Sequence, residues 1–167
     1  MSDNVFVCSG GWQSYYHTGT NWKKSGSGSN QNFTIIYPDE GVFISRIGPS
    51  AVDLVTTGTV PTTTERTDVD GLASTFVSNR FPVDVTLSSV GFQTLPGWVS
   101  GTNVNNSDNV YIYNTGWQTY YYNGTIWKKS GSGVDQGSTT IPAGSAVFVR
   151  RTTAGSSTLT QNTPYTP

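Results

Sequence analysis

With 167 residues, 19 charged side chains, 21 aromatics, 19 glycines and 8 prolines, the chain can form one large or two small domains of all-β type. A formal net charge of −1 without a basic stripe argues against a phosphate backbone as partner, so nucleic acid is set aside. No apolar run reaches the roughly 18 residues of a membrane-spanning helix, and a single cysteine, Cys8, rules out an internal disulfide framework.

In chain order, residues 4–8 (NVFVC) predict a short strand, followed by a Gly10-Gly11 turn and an aromatic hairpin over 12–24. A polar loop, 25–32, leads to strands over 32–37 and 41–46, separated by the turn composition Pro38-Asp39-Glu40. The middle of the chain reads as a Thr-rich loop, then strands over 73–78 and 81–87, with Pro82 marking an edge or entry position. A Gly-rich approach through Pro96-Gly97-Trp98 precedes a second aromatic hairpin, and strands are expected again over 138–141 and 145–151. No window of ten or more residues carries the 3.6-residue period of a long amphipathic helix. The expected fold is therefore all-β, an antiparallel sandwich-like architecture built from a tandem repeat.

The repeat is visible by eye. Residues 11–28, GWQSYYHTGTNWKKSGSG, and 116–133, GWQTYYYNGTIWKKSGSG, superimpose at an offset of 105, and 18 of the 27 positions from Ser2/Ser107 to Gly28/Gly133 are identical. Val42, Phe43 and Arg46 correspond to Val147, Phe148 and Arg151, whereas 63–106 has no second copy. Residues 1–62 are read as a first repeat that is only a half-unit, and 63–167 as a second, complete one. A half-unit exposes strand edges that soluble proteins ordinarily cover or charge. Either both halves close into a pseudo-twofold sandwich sharing the middle segment, or a neighbouring molecule adds a strand, a heterologous contact that propagates into a filament. The first copy starts at residue 2 and Met1-Ser2-Asp3 is no signal peptide, so the chain reads as the mature or trimmed part of something longer.

Asn123-Gly124 suits a two-residue type I′ turn, which would set Tyr122 opposite Thr125, Tyr121 opposite Ile126 and Tyr120 opposite Trp127. The same turn at Thr18-Gly19 would set Tyr15 opposite Trp22. Strand alternation puts Gln118, Tyr120, Trp127 and Lys129 on one face and Trp117, Tyr121 and Ile126 on the other. A lone hairpin is marginal in water, so one face must be covered. The expectation is that Trp117, Tyr121, Trp12 and Tyr16 lie inside. A carbohydrate platform is the alternative, with Gln118, Tyr120, Trp127 and Lys129 and their copy-one equivalents Gln13, Tyr15, Trp22 and Lys24 as ligand-binding residues.

Catalytic constellations are thin. His17 is the sole histidine and its equivalent is Tyr122, while the equivalent of Cys8 is Tyr113, so neither belongs to a shared nucleophile–base site. Asp3/Asp108 is the only acid repeated at equivalent positions; each precedes Asn and opens a strand, which suits turn capping better than a glycosidase carboxylate pair. One His and one Cys leave no zinc site. Calcium comes into question only at TERTDVDG, around Asp68 and Asp70, which lacks the ligand spacing of an EF-hand and reads as an Asp/Gly turn. Arg46 and Arg151 end equivalent strands, where closing the strand on a carboxylate or carbonyl is the expected role.

The ordered pieces FVSNRFPVDVTL (76–87), SDNVYIYN (107–114), GWQTYYYNGTIWKK (116–129), IPAGSAVFVRR (141–151) and NTPY (162–165) resemble a family of uncharacterised secreted β-rich proteins of Verrucomicrobia and related environmental bacteria, some with a C-terminal sorting signal. The resemblance is strong over 76–165 and covers only the second half of the family unit over 2–48. It implies export and a β-rich extracellular fold, and it brings no activity or catalytic residues to carry over. The expected function is a non-enzymatic extracellular or cell-surface structural protein, without cofactor or metal, that self-associates as an oligomer or polymer through strand edges. A carbohydrate-binding module is the alternative, with a glycan as partner.

Overall fold

The computed structural model describes residues 2–8, 11–37, 41–55 and 58–166, which form two compact units, Met1–Thr59 and Val60–Pro167. The chain is nearly all β, and its strands pair in antiparallel sheets.

Unit 1 is one four-stranded sheet built from β1 (Asn4–Cys8), β2 (Trp12–His17), β3 (Trp22–Lys24) and β4 (Val42–Ser45), ordered β3-β2-β1-β4. β1, β2 and β4 are rich in β-branched and aromatic residues, which suit a pleated half-buried surface. Phe6 and Phe43 meet across β1 and β4 with ring centroids 6.1 Å apart.

Unit 2 opens with β5 (Glu65–Val69), β6 (Ser74–Ser78) and β7 (Val85–Thr86), and continues after a short helical segment with β8 (Asn109–Tyr113), β9 (Trp117–Tyr122) and β10 (Trp127–Lys129). It ends with β11 (Thr140–Ile141), β12 (Ala146–Arg150) and β13 (Ser157–Gln161). Five strands make a sheet in the order β10-β9-β8-β12-β6, while β11 pairs β7 and β13 pairs β5 in two-stranded ribbons. In β12, Val147 and Val149 point inward; Phe148 lies on the other face between Phe76 and Tyr111.

Between β7 and β8 the sequence VTLSSVGF makes one helical turn, α1 (Leu87–Val90), rather than a longer strand. Thr86 accepts from the Ser89 amide and the Ser89 hydroxyl accepts from the Thr86 amide, a reciprocal cap that ends the extended run predicted over 81–87. Gly91, at φ +84°, terminates the turn in the left-handed region that favours glycine. Leu87, Val90 and then Phe92 and Leu95 enter the core, where they meet Val110, Ile112, Tyr120, Trp127 and Ile141, with Trp98 packed against them. Each fully buried aliphatic or Phe side chain contributes about 1.5–3 kcal/mol, so the segment from β6 to Trp98 supplies much of the stability of unit 2.

Three expectations are corrected. Residues 65–69 are a strand, not a loop or a calcium turn, because Glu65–Val69 pairs along its whole length with β13. Residues 32–37 form no strand, although the equivalent Thr140–Ile141 does, because Thr140–Ile141 pairs with β7. The hairpin is looser than a two-residue turn: Tyr122 faces Trp127 and Tyr120 faces Lys129, and in the first copy His17 faces Trp22. The cause is Asn123, whose side-chain oxygen accepts from the amides of Thr125 and Ile126 and so draws four residues into the loop. A register shift of two residues leaves the face assignments intact. The expected turn residues Gly10 and Pro38-Asp39-Glu40 lie outside the described residues, apart from Gly11.

Candidate functional site

The two hairpins present the same side chains in different surroundings. In unit 2 the face carrying Tyr120 and Trp127 is the inner one: these residues are 3% and 1% exposed, whereas Trp117 on the opposite face is 48% exposed. Tyr121 is also buried, and Gln118 and Lys129 are half-buried. The expectation that Trp117 lies inside is thus reversed, because α1 and the residues after it cover the Tyr120 face. A stacking platform needs an accessible ring face, which Tyr120 and Trp127 lack.

In unit 1 the same face is only partly covered. Trp22 is 38% exposed, Tyr15 is buried, and Gln13 and Lys24 are half-buried. Trp12, like Trp117, is exposed, and Tyr16 is half-buried, which again reverses the expected inner face. Each Tyr of the pair donates to its neighbouring Gln, Tyr15 to Gln13 at 2.7 Å and Tyr120 to Gln118 at 2.9 Å. Beside Tyr15 and Trp22 runs a groove of about 250 Å³ lined also by Val5, Val7, Gln31, Asn32, Thr34 and Ile36. The Trp22 amide donates to the Asn32 side chain at 2.7 Å, and the Gln31 amide donates to the Trp22 carbonyl, which hold the groove wall against β3.

Adding 105 to these numbers explains the groove. Val5, Val7, Tyr15, Trp22 and Ile36 become Val110, Ile112, Tyr120, Trp127 and Ile141, all members of the buried core of unit 2. The groove in unit 1 therefore corresponds to the place where unit 2 seats α1 and the residues around it. The adjacent sheet edge shows the same contrast. β1 pairs β4 with Val5 opposite Ile44 and Phe6 opposite Phe43; β8 pairs β12 with Val110 opposite Val149 and Tyr111 opposite Phe148, an identical register at the same offset. β12 is interior, with β6 on its other side, while β4 is the last strand of its sheet. Ile44 is 40% exposed where Val149 is fully buried.

A repeated ion pair fixes the ends of these strands. In unit 2, Arg151 Nε lies 3.5 Å from Asp108 Oδ2, and Asp108 also accepts from the amides of Val99 and Thr152. In unit 1, Arg46 Nε lies 3.2 Å from Asp3 Oδ2, and Asp3 accepts from the Ile47 amide. That backbone bond and the arginine hold the Asp3 carboxyl below its ordinary range. Both arginines thus close their strands on the repeated aspartates. The spacing of the four residues in the two copies carried this signal, since both members recur at one offset.

Among the described residues, the groups weighed for chemistry make structural contacts. His17 Nδ1 accepts from the Gly19 amide and its ring packs at 5.4 Å from Trp22, so it braces the hairpin turn. Asp68 accepts from Thr158 and Asp70 from Ser156, so the acids considered for calcium tie β5 to β13 and the chain before it. Among the described residues no cluster of His, Cys, Asp and Glu could hold a metal ion, and no helix is long and apolar enough to cross a membrane.

Compared with known proteins, the chain matches no family model, no curated protein and no solved structure.

Proposed function

We propose that the protein is a non-enzymatic extracellular structural subunit, part of a surface layer or filament, which assembles through the unfinished side of unit 1. The observation that carries this reading is the position of β4, terminal in its sheet although its counterpart β12 is interior in the same register. A terminal strand offers a row of unsatisfied amides and carbonyls to another strand. Exposed apolar side chains of unit 1, Ile44 on β4 and Ile35 and Ile36 earlier in the chain, add surface that water covers poorly. β6 is likewise terminal in the sheet of unit 2, so β4 of one molecule against β6 of the next is a heterologous contact that propagates into a filament. The resemblance to exported β-rich proteins supports an extracellular or cell-surface setting.

Sedimentation and negative-stain microscopy across a concentration series test the reading. Fibres, tubes or sheets that grow with concentration are expected; a monodisperse 18.0 kDa particle at every concentration overturns it. The carbohydrate reading keeps one supporting observation, the partly exposed Trp22 beside Gln31 and Asn32 in the groove. Glycan-array binding that is lost in Trp22→Ala would establish it.

A further inference from the structure

We propose that the groove of unit 1 is one half of a twofold contact between two copies of the chain: each copy's Phe33 ring enters the groove of the other. This contact is separate from the β4 edge and adds a second interface to the assembly proposed above.

The protruding half is a turn. The Thr34 amide donates to the Gln31 carbonyl at 3.0 Å, and unit 2 repeats the turn with Thr139 and Gln136 at 2.9 Å. In unit 2 the residues equivalent to Phe33 and Ile35 are Ser138 and Thr140, both polar and exposed. Unit 1 instead places Phe33, 93% exposed, and Ile35, 67% exposed, at these positions. A scattered exposed apolar residue is ordinary, but Phe33 stands between Asn32 and Thr34, which both line the groove. Asn32 braces the stretch, since its side-chain oxygen accepts from the Trp22 amide and its Nδ2 donates to Asn21 Oδ1 at 3.2 Å. A ring carried on a braced turn loses little backbone freedom on docking.

The receiving half is the groove itself. Its volume of about 250 Å³ exceeds the roughly 150 Å³ of a cavity that takes up benzene, so a phenyl ring fits. Val5, Val7 and Ile36 supply apolar contacts and Trp22 an aromatic one. Unit 2 shows that this place accepts an aromatic side chain: Trp98 meets Trp127, the equivalent of Trp22, with ring centroids 5.8 Å apart. Unit 1 does not accept the whole segment that fills unit 2. A Cβ on Gly137 would collide with the Ser88 hydroxyl of α1, and unit 1 has Asn32 in place of Gly137. A single ring avoids the clash that a turn like α1 would meet there.

Ring and groove on one patch make the surface self-complementary, which is the condition for an isologous twofold contact. Phe33, Ile35, Ile36 and Trp22 together expose on the order of 500 Å² per copy. Covering them on both copies buries on the order of 1,000 Å², the low end of specific interfaces. None of the groove residues belongs to β4, so the two contacts use different residues, and a twofold contact added to a propagating one joins filaments side by side into a layer.

Sedimentation equilibrium of the full chain with Ile44→Lys, which sets a charge on β4, reads the twofold contact without fibre growth. A monomer–dimer equilibrium is expected. Adding Phe33→Ser, the residue that unit 2 carries at the same turn, weakens dimerisation about a hundredfold, because both rings of the pair are lost. Phe33 is exposed, so this variant melts at the parent's temperature. In a mixture of isotope-labelled and unlabelled protein, filtered NMR contacts are expected between Phe33 ring protons of one copy and the Trp22 indole of the other. Monomers at every concentration overturn the proposal, as do dimers that Phe33→Ser leaves intact; monomers that bind a glycan through Trp22 assign the groove to a sugar instead. The assembly reading fails separately. Dimers from a parent chain that forms no fibres uphold the twofold contact alone, and fibres from a parent chain whose Ile44→Lys form stays monomeric uphold the assembly alone.

Discussion

Asp108 and Arg151 form a buried ion pair in unit 2, and Asp3 and Arg46 form the same pair exposed to solvent in unit 1. The difference comes from residues 96–99: Pro96 accepts from Arg151 at 2.9 Å and the Val99 amide donates to Asp108 at 3.0 Å, which closes the pair off from water. Removing one partner of a buried pair leaves an uncompensated charge and costs about 3–5 kcal/mol. Asp108→Ala is therefore expected to unfold unit 2 at a much lower denaturant concentration, whereas Asp3→Ala shifts the unfolding of unit 1 only slightly. Denaturant titrations followed by unit-specific NMR signals measure both.

The exposed pair carries a pH dependence of definite sign. The Ile47 amide, first, and the Arg46 guanidinium lower the folded-state value for Asp3 below the ordinary 3.8. A carboxyl with a lowered folded value contributes stability that is complete above its unfolded value and disappears as pH falls through the folded one. Unit 1 is expected to lose stability on acidification across that window, and Asp3→Asn to flatten the loss. Thermal melts of both proteins from neutral to acidic pH provide the check.

Equivalent tryptophans should respond unequally. Trp127 is enclosed by the core, and its truncation to Ala is expected to cost about 3–5 kcal/mol; Trp22→Ala in the open groove should cost far less. Equal losses in the two units, read from denaturation midpoints, would contradict the assignment of the groove as open.

Gly71 lies where the chain after β5 passes close to another backbone segment. A Cβ there would stand 2.4 Å from the carbonyl oxygens of both Thr153 and Gly155, and backbone cannot step aside as a flexible side chain can. Gly71→Ala is expected to destabilise unit 2 by about 1–3 kcal/mol. Gly133→Ala, which meets nothing within 4 Å, should stay within about 0.5 kcal/mol of the parent. Melting temperatures of the two variants decide the point.

Much of the fold was legible where local chemistry dictates it. Asn4–Cys8 and the faces of both hairpins follow from alternation and aromatic content, and the recurrence of Asp and Arg at one offset marked the strand-closing pair. What was not legible depends on distant partners. TERTDVDG looks like an acidic turn until β13, some 90 residues later in sequence, pairs with it. FTIIY looks like a strand, but a strand needs a neighbour, and in unit 2 that neighbour is β7, from the segment without a second copy. The sequence places Trp117 and Tyr121 inside; Tyr121 is buried, but Trp117 is exposed and Tyr120 and Trp127 are enclosed instead, because Leu87 and Phe92, neither near the hairpin in sequence, share their core.

Hydrogen exchange of β4 amides at low and high protein concentration is the most direct test of an unfinished sheet edge in unit 1. At low concentration, β12 amides, flanked by β8 and β6, should be protected while alternate β4 amides exchange freely; at high concentration, β4 should gain protection as the edge is covered. Equal and concentration-independent protection of β4 and β12 would contradict the account.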